Sequence, residues 1–361
     1  MSDIRKLAHV EKIVSLTPIE GADRIETALV LGWQCVVKKE EFRVGESIVY
    51  IEVDSIVPEK PEYEFLRDRK FRVRTIKLRK QISQGLVLPL SVLPEGMYKE
   101  GQDVTDLLGI TKYDPQVQQE IEESDVRMKN PIFKFMMRFF WFRNLFKKSK
   151  GGFPKWIVKT DEERVQNMPR VLVTEEGRPF EVTEKLDGQS VTFFLKRNKG
   201  KDLLKGKFEF GVCSRNNRLA KPDNSSWWTV ARDLSIEIAL KHLIGEEDFV
   251  VLQGEILGTS IQGNKYNVNK QRFYAFNLIY PAGRMSWYDM HEDLTPHSIE
   301  CVPLLDNKFF LPSTVAEIVQ YAIGKSRIKN DSWREGIVVR DYDKGISFKV
   351  INPEFLLKNN E

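Results

Sequence analysis

Short β-type runs separated by turn signals occupy the first 105 residues, and this spacing restricts the fold more than any other feature of the chain. Turns such as Val44-Gly45 interrupt the runs. The runs cover residues 11–16, 28–37, 47–53, 71–78 and 85–90. About five short strands in roughly 100 residues predict a small β-barrel, for instance an OB-like one.

Residues 106–154 show no strand pattern, and we interpret them as a connector. Within it, residues 131–150 mix aromatic and basic side chains. A helix packed between domains is one interpretation, and an interfacial membrane helix is the alternative. The most apolar part of this segment, residues 131–146, is shorter than the roughly 20 apolar residues of a spanning helix, and the N-terminus lacks an apolar signal. We therefore expect an intracellular, cytoplasmic protein with no membrane partner.

Residues 155–361 alternate strand patterns with two helical patterns. One helix is predicted to begin at Ser225 or Ser226 and to continue through Ala239. The other is predicted to be capped by Ser313 and to end at Gly324. The predicted strands are residues 180–184, 191–195, 208–213, 249–256, 272–279, 336–341 and 346–350. Because the strand–helix alternation of a parallel sheet is missing, we expect an antiparallel α+β domain.

Histidine and cysteine are scarce, with four His and three Cys in 361 residues. The cysteines are far apart and the histidines lack HExxH spacing, which argues against a disulfide framework or an imidazole-held metal. The chemistry should therefore rest on Lys, Arg, Asp and Glu. The net charge is only +4, so a nucleic-acid partner would need a local basic patch.

Charged and aromatic residues recur at the edges of apolar runs in the second half of the chain. The first instance is Glu184-Lys185-Leu186-Asp187-Gly188, which by itself is more typical of a surface turn. Five segments follow it in order: 213–216 around Arg215, 252–258 around Glu255, 273–278 around Phe276, 334–340 around Glu335, and 347–350 around Lys349. In order and residue type they resemble the six motifs of the lysine-dependent covalent nucleotidyltransferases, the superfamily of polynucleotide ligases and mRNA capping enzymes.

The resemblance implies an ATP-grasp-like ligase domain in which a lysine amine attacks the α-phosphate of a nucleoside triphosphate. Such an amine needs nearby cations to lower its pKa, and the phosphate needs a lysine and a divalent metal. The implied cofactors are ATP and Mg²⁺ or Mn²⁺. The implied catalytic residues are Lys185 as nucleophile, Asp187, Glu335, and Lys349 on the α-phosphate. The implied nucleotide contacts are Glu184 to adenine, Arg215 and Glu255 to the ribose, Phe276 to the base and Lys349. The implied metal ligands are Asp187, Glu255 and Glu335.

Several of these residues also have a simpler interpretation. Phe276 could be a core residue, Glu255 and Glu335 could be solvated acids at strand ends, and Arg215 could belong to an ion pair. The last motif also departs from the superfamily, in which many members carry Lys-x-Lys. Ser347 and Ile351 flank Lys349 here, so one lysine is missing, and its share of phosphate binding would fall to Lys349 or to another basic residue.

The order of the domains distinguishes between members of the superfamily. About ten residues follow Val350, which is too few for the C-terminal OB domain of DNA ligases and capping enzymes. Four segments resemble a family of ATP-dependent RNA ligases that carry an OB fold before the catalytic domain: residues 18–26, 50–55, 83–86 and 159–167. By this resemblance, residues 1–105 are an OB-like accessory domain and residues 155–361 an adenylyltransferase domain.

The resemblance implies sealing of a 3′-hydroxyl to a 5′-phosphate through lysyl-AMP and an adenylylated 5′ end. The expected partner is RNA, as a nicked duplex or as RNA ends, with RNA/DNA hybrids as further candidates, and the expected state is a monomer. A DNA ligase, a capping-type guanylyltransferase and a non-catalytic OB-type RNA-binding protein are the alternatives.

Eight basic residues lie within residues 67–80 and include Arg72 and Arg74. Strand alternation would place Arg72 and Arg74 on one face. Together with Arg215, we expect them to bind the phosphate backbone of RNA. The alternative is a solvated edge strand protected by charge.

Overall fold

The computed structural model describes residues 6–113, 151–159, 161–198, 207–219 and 224–359. Its first domain contains one short helix, α1 (Thr105–Leu108), and the 3₁₀ segments Pro61–Arg69 and Leu90–Val92. Its strands are β1 (Ala8–Pro18), β2 (Ile25–Val30), β3 (Trp33–Lys38), β4 (Ser47–Ile51), β5 (Ser55–Ile56), β6 (Thr75–Leu78), β7 (Gln81–Gln84), β8 (Leu86–Pro89) and β9 (Thr111–Lys112).

A curled antiparallel sheet in the order β3-β2-β1-β4-β8 forms the first domain. The long strand β1 curls it by changing partner, because Ala8 to Lys12 pair with β4 whereas Ile13 to Pro18 pair with β2. A bulge between Ile13 and Ser15 accompanies this change. The domain has the predicted OB-like form, with small ladders β5–β9 and β6–β7 beside the main sheet.

Three details of this domain differ from the sequence prediction. Residues 28–37 are a hairpin rather than one strand, because the chain reverses at Leu31 with a φ of 53°. Residues 71–78 become a strand only at Thr75, because Val73 is held by a backbone hydrogen bond to Ser55 (2.8 Å) outside any long ladder. The domain also continues beyond residue 105, since Ile110 is buried in its core and β9 pairs with β5.

The second domain contains two sheets and six helices in the described part of the chain. The helices are α2 (Val171–Thr174), α3 (Ser226–Asp233), α4 (Ile236–Leu243), α5 (Trp287–Leu294), α6 (Val315–Ala322) and α7 (Pro353–Asn359). The strands are β10 (Gly151–Gly152), β11 (Glu163–Arg164), β12 (Pro179–Lys185), β13 (Gln189–Arg197), β14 (Phe208–Ser214), β15 (Asn217–Arg218), β16 (Phe249–Leu257), β17 (Arg272–Tyr280), β18 (Gly283–Arg284), β19 (Glu300–Cys301), β20 (Leu304–Phe310), β21 (Gly336–Arg340) and β22 (Ser347–Ile351).

The larger sheet has the order β10-β15-β14-β13-β16-β17-β18, with β19 beside β17, and the smaller sheet has the order β11-β22-β21-β12-β20. Both are antiparallel except for the short parallel pairs β11–β22 and β17–β19. Helices α3, α4 and α5 pack on the larger sheet, whereas α6 packs on the smaller one through Ile318 and Ala322. The antiparallel α+β prediction is therefore confirmed apart from those two short pairs.

All seven strands predicted for this domain are present, but the helices differ in detail. The first predicted helix is two helices, α3 and α4, because Ser235 between them has a left-handed backbone with a φ of 50°. The cap of α6 is Thr314 rather than Ser313. Its hydroxyl accepts from the Glu317 N–H (3.2 Å), and the Glu317 carboxylate accepts from the Thr314 backbone N–H. Strand β20, helices α2, α5 and α7, and the two-residue strands β10, β11, β15, β18 and β19 were not predicted.

The segment of residues 131–150, for which two interpretations were open, lies outside the described residues. Over the ranges that the structure does describe, no helix has the length and apolar character needed to cross a membrane.

Residues 163–167 of the second domain, which we call the joint segment, form hydrogen bonds to the first domain. The Gly32 N–H donates to the Gln166 carbonyl (3.0 Å), and the Trp33 indole N–H donates to Asn167 Oδ1 (2.6 Å). The Asn167 amide in turn donates to Glu52 in the first domain. These contacts hold the first domain against the edge of the smaller sheet, where the site lies.

Candidate active site

A cleft of about 430 Å³ lies between the first domain and the two sheets of the second. The first domain lines it with Asp54, Arg72, Lys112 and Tyr113. The predicted site residues that line it are Glu184, Lys185, Asp187, Arg215, Glu255, Phe276, Glu335, Lys349 and Arg72. The fold thus brings together every predicted site residue except Arg74, although they span nearly 280 positions of sequence.

Lys185 is the last residue of β12, and Glu335 directly precedes β21. These strands pair with Lys185 opposite Gly336, so the two side chains lie next to each other. The Lys185 Nζ donates to both carboxylate oxygens of Glu335, at 2.6 Å each. Burial lowers the pKa of Lys185, but the carboxylates of Glu335, Glu255 and Asp187 outweigh it and raise the pKa above its ordinary value. The structure therefore holds Lys185 as an ammonium.

Glu255 and Asp187 lie on the other side of this lysine. Glu255 is on β16 and its Oε1 accepts from the Gly188 N–H (3.1 Å). Burial and the neighbouring Glu335 and Asp187 carboxylates raise the pKa of Glu255 to about 8. The Asp187 carboxylate is paired with Lys265, and its backbone N–H donates to the Tyr266 hydroxyl (2.9 Å).

The predicted metal ligands Asp187, Glu255 and Glu335 share this cleft without forming a ready-made metal cage. In the described parts of the chain, no group of three or more His, Cys, Asp or Glu side chains is arranged to hold a metal ion. Two of the three carboxylates already form ion pairs, Glu335 with Lys185 and Asp187 with Lys265.

Glu184 and Phe276 both line the cleft. Glu184 is 1% exposed, and its Oε2 accepts from the Arg327 N–H (2.7 Å). Its Oε1 is buried and accepts no hydrogen bond from the described residues, and burial raises the pKa of the group. Phe276 packs against the cluster around Tyr266 while it also lines the cleft. It is therefore partly a core residue and partly a wall of the site.

Three cations from different elements meet at Asp161. The Lys112 Nζ lies 2.7 Å from Oδ2, the Arg215 Nη2 lies 3.3 Å from the same oxygen, and the Lys349 Nζ lies 3.1 Å from Oδ1. Burial would raise the pKa of Asp161, but Lys349, Arg215 and Lys112 hold it well below its usual range. Arg215 does form an ion pair, as its simpler interpretation predicted, and the pair lies inside the cleft. Sequence analysis missed Asp161 and Lys112 as site residues, although Asp161 lies in the segment 159–167 that carried part of the family resemblance.

The alternation argument would place Arg72 on one face with Arg74, available to RNA. In the structure Arg72 is instead buried at the cleft. Its Nη2 lies 2.8 Å from Asp54 Oδ1, and its guanidinium lies 3.6 Å from the centre of the Tyr113 ring. Arg164 of the joint segment binds the other oxygen of Asp54 (2.9 Å). Arg74 is half-buried, and burial together with Arg72 lowers its pKa. Five members of the basic cluster are solvent-exposed: Arg67 and Lys70 at the end of the 3₁₀ segment, and Lys77, Arg79 and Lys80 at the β6–β7 hairpin.

A half-buried lysine at a strand end, enclosed by carboxylates and facing a group of cations, is the arrangement of a lysine-dependent covalent nucleotidyltransferase. A leading OB-type domain that contributes to the same cleft narrows this class further.

Comparisons with known proteins agree with this class. An OB-fold domain family matches residues 7–90, and the RNA ligase family matches residues 178–351. Naegleria gruberi RNA ligase with PPi is 34% identical and has a TM-score of 0.79, with 98% of each chain covered. A substituted form of that ligase with ATP and Mn is 32% identical, with 99% of this chain and 100% of the other covered and a TM-score of 0.81. Another, with AMP and Mn, is 33% identical, with 98% and 100% covered and a TM-score of 0.80.

No curated protein matches the chain. The near-complete coverage at this identity shows that the chain belongs to the RNA ligase family. The expected enzyme class, an ATP-dependent RNA ligase with a leading OB fold, is confirmed.

Proposed function

We propose that this RNA ligase seals 3′-hydroxyl/5′-phosphate breaks in nicked duplex RNA through a lysyl-AMP on Lys185. The observation that carries the proposal is the half-buried Lys185 amine, which lies between carboxylates in a cleft that also contains a cation group. Lys185 is the last residue of β12, and pairing of β12 with β21 fixes its backbone. The amine is therefore preorganised for reaction.

The proposed reaction has three steps. First, the Lys185 nitrogen bonds to the α-phosphorus of ATP, a proton leaves the amine, and pyrophosphate departs. Second, an oxygen of the RNA 5′-phosphate attacks that phosphorus and the phosphorus–nitrogen bond breaks, which leaves an adenylylated 5′ end. Third, the 3′-hydroxyl attacks the 5′-phosphate, a phosphodiester forms, and AMP leaves.

The first step requires a neutral amine, whereas the nucleotide-free site holds Lys185 as an ammonium paired with Glu335. Positive charge brought beside the amine would weaken this pairing and lower the pKa of Lys185. Lys349 and its neighbouring cations would balance the negative charge of the phosphates. Deprotonation of Lys185 is thus coupled to filling of the cleft.

We propose ATP as the nucleotide and Mn²⁺ or Mg²⁺ as the ion, in line with the ATP and Mn bound to the Naegleria ligase. The donor set fits, because nucleotide-bound divalent ions usually combine one or two carboxylates with phosphate oxygens and need no all-protein cage. Asp187, Glu255 and Glu335 would hold the ion, which would supply positive charge beside the α-phosphate. The unpartnered Oε1 of Glu184 would accept from the adenine amine, and Phe276 would contact the base.

The first experiment tests the covalent step. The protein is incubated with ATP or GTP labelled at the α-phosphate, with Mg²⁺ or Mn²⁺. We expect label on the wild-type protein from ATP only, and none on Lys185→Ala, with Lys241→Ala as an exposed lysine control. Label from GTP alone would favour a capping-type guanylyltransferase. A wild-type protein with no adduct from either nucleotide would favour a non-catalytic RNA-binding protein.

The second experiment identifies the substrate. Nicked duplexes with each strand as RNA or DNA are compared for joining, and we expect sealing of the all-RNA nick. Efficient sealing of an all-DNA nick and none of RNA would instead support a DNA ligase. Light scattering on the purified protein tests the predicted monomer, and the cytoplasmic location stays a prediction.

The contribution of Arg72 and Arg74 to RNA binding also remains a proposal. We expect Arg72→Ala combined with Arg74→Ala to weaken nicked-duplex binding and to reduce its salt dependence, because fewer counterions are then released. Lys38→Ala combined with Lys39→Ala, an exposed pair on the same domain, is the matched control. Unchanged affinity and salt slope in the first variant would contradict the proposal.

A further inference from the structure

Lys112 reaches the nucleotide cleft from the end of the first domain. It lies on β9, whose pairing with Ser55 of β5 fixes the backbone, and its ammonium projects to Asp161 at 2.7 Å. Its side chain is 35% exposed, so it is accessible from the cleft that it lines.

Lys112 shares a carboxylate with Lys349, the lysine of the last motif. The two ammonium groups contact different oxygens of Asp161, and Arg215 also contacts that carboxylate. Three cations from separate parts of the chain thus meet at one carboxylate. A phosphate group, which carries more than one negative charge and several acceptor oxygens, can bind several cations at once and suits this position.

The sequence lacks a lysine where the superfamily pattern would place one beside Lys349. The position two residues further on is Ile351, which is 4% exposed and packs with Phe355 and Leu356. This apolar side chain cannot contribute to phosphate binding.

The other basic side chains of the cleft are engaged elsewhere. Arg72 and Arg164 share Asp54, Arg340 pairs with Glu162, and Lys265 pairs with Asp187. These pairs lie within the described residues. Lys112, by contrast, contacts the same carboxylate as Lys349.

We propose that Lys112 is a phosphate-binding residue for the nucleoside triphosphate, replacing from the first domain the lysine that the last motif lacks. The Asp161 carboxylate holds Lys112 and Lys349 together until a phosphate group takes its place. This inference rests on the proposed function, because it assigns a residue to the nucleotide of that reaction.

The test measures equilibrium binding of ATP and of adenosine to Lys185→Ala protein, which cannot form the covalent adduct. Adding Lys112→Ala should weaken ATP binding about tenfold, the effect of losing one charged hydrogen bond. Adenosine binding should not change, since adenosine has no phosphate. Lys112→Arg should keep most of the ATP affinity, and Lys39→Ala, an exposed lysine outside the cleft, should keep all of it.

Asp161→Asn, added to Lys185→Ala, distinguishes two roles for Lys112. One role is phosphate binding, and the other is only to hold the two domains together through Asp161. If Asp161 stands where phosphate binds, the substitution leaves ATP binding equal or tighter. ATP binding weakened equally by Lys112→Ala and Asp161→Asn, or a parallel loss of adenosine binding, would overturn the proposal. So would unchanged ATP binding in Lys112→Ala. Failure of the proposed function is a different result, namely wild-type protein that forms no AMP adduct.

Discussion

His9 offers a quantitative test of how the first domain is held together. It is 4% exposed, its Nδ1 lies 2.8 Å from Glu11 Oε1, and its Nε2 lies 3.5 Å from Glu52 Oε1. Burial lowers the pKa of His9, but the Glu11 and Glu52 carboxylates outweigh it and raise the pKa from 6.5 to about 9. Glu52 also accepts from the Asn167 amide of the joint segment, so the charge of His9 bears on the contact between the domains.

The sign and size of the effect follow from this shift. Because the folded-state pKa is above the unfolded value, the stabilising contribution is complete below about pH 6.5 and is lost as the pH rises through about 9. At about 1.4 kcal/mol for each pH unit, the interval from 6.5 to 9 corresponds to about 3 kcal/mol. His9→Gln removes this contribution and leaves the two buried carboxylates without a cation between them.

The assay is urea unfolding of the wild type and of His9→Gln, at about pH 6.5 and about pH 9.5. We expect the difference in unfolding free energy between the wild type and His9→Gln to decrease by about 3 kcal/mol as the pH is raised from about 6.5 to about 9.5. His242→Gln, at an exposed histidine of α4, is the control for loss of an imidazole. Proton NMR should also show one histidine that titrates near pH 9 and disappears in His9→Gln. A gap that stays constant with pH, or the absence of that resonance, would refute the reasoning.

Three further substitutions test the joint, the core and the nucleotide site. Asn167→Ala should lower the free energy of unfolding by about 2–4 kcal/mol in urea, because the side chain bonds the Trp33 indole and two carboxylates; an unchanged midpoint would contradict this. Gly254→Ala should cost about 1–3 kcal/mol in thermal unfolding, because its Cβ would lie 2.2 Å from the Phe273 ring and 2.4 Å from a backbone oxygen; wild-type stability would show that this region can adjust. Phe276→Ala should raise the KM for ATP roughly tenfold in lysyl-AMP formation without a matching loss of pyrophosphate binding; equal losses for both would indicate a general collapse of the cleft.

The strand content of both domains was accessible from sequence because its signals are local. Apolar alternation and turn residues located the strands that became β12, β13 and β14 to within a few residues. The capping box of α6 is local too, since Thr314 precedes Glu317 by three residues, but the prediction placed the cap one residue early, at Ser313. Ser235 was different, because its left-handed backbone breaks a helical pattern that continues across it.

The proposed site residues were also recognisable in sequence, because each stands at the edge of an apolar run that must become a strand. Lys185, Glu255, Glu335 and Lys349 were selected in this way, and pairing of the strands brings them into one cleft. The resemblance to the ligase motifs then indicated their chemistry.

The ionic partners of these residues could not be read from any local pattern. Arg72 was expected on an exposed face but is buried on Asp54, and Lys112 meets Asp161 across the contact between the two domains. A hydrophobic period reports which side chains leave water, but it carries no information on which distant charges meet. These ionic contacts depend on how the first domain packs against the joint segment, where the Trp33 indole N–H donates to Asn167. The sequence thus specified the strands and the proposed nucleophile Lys185, whereas long-range packing set the charges around them.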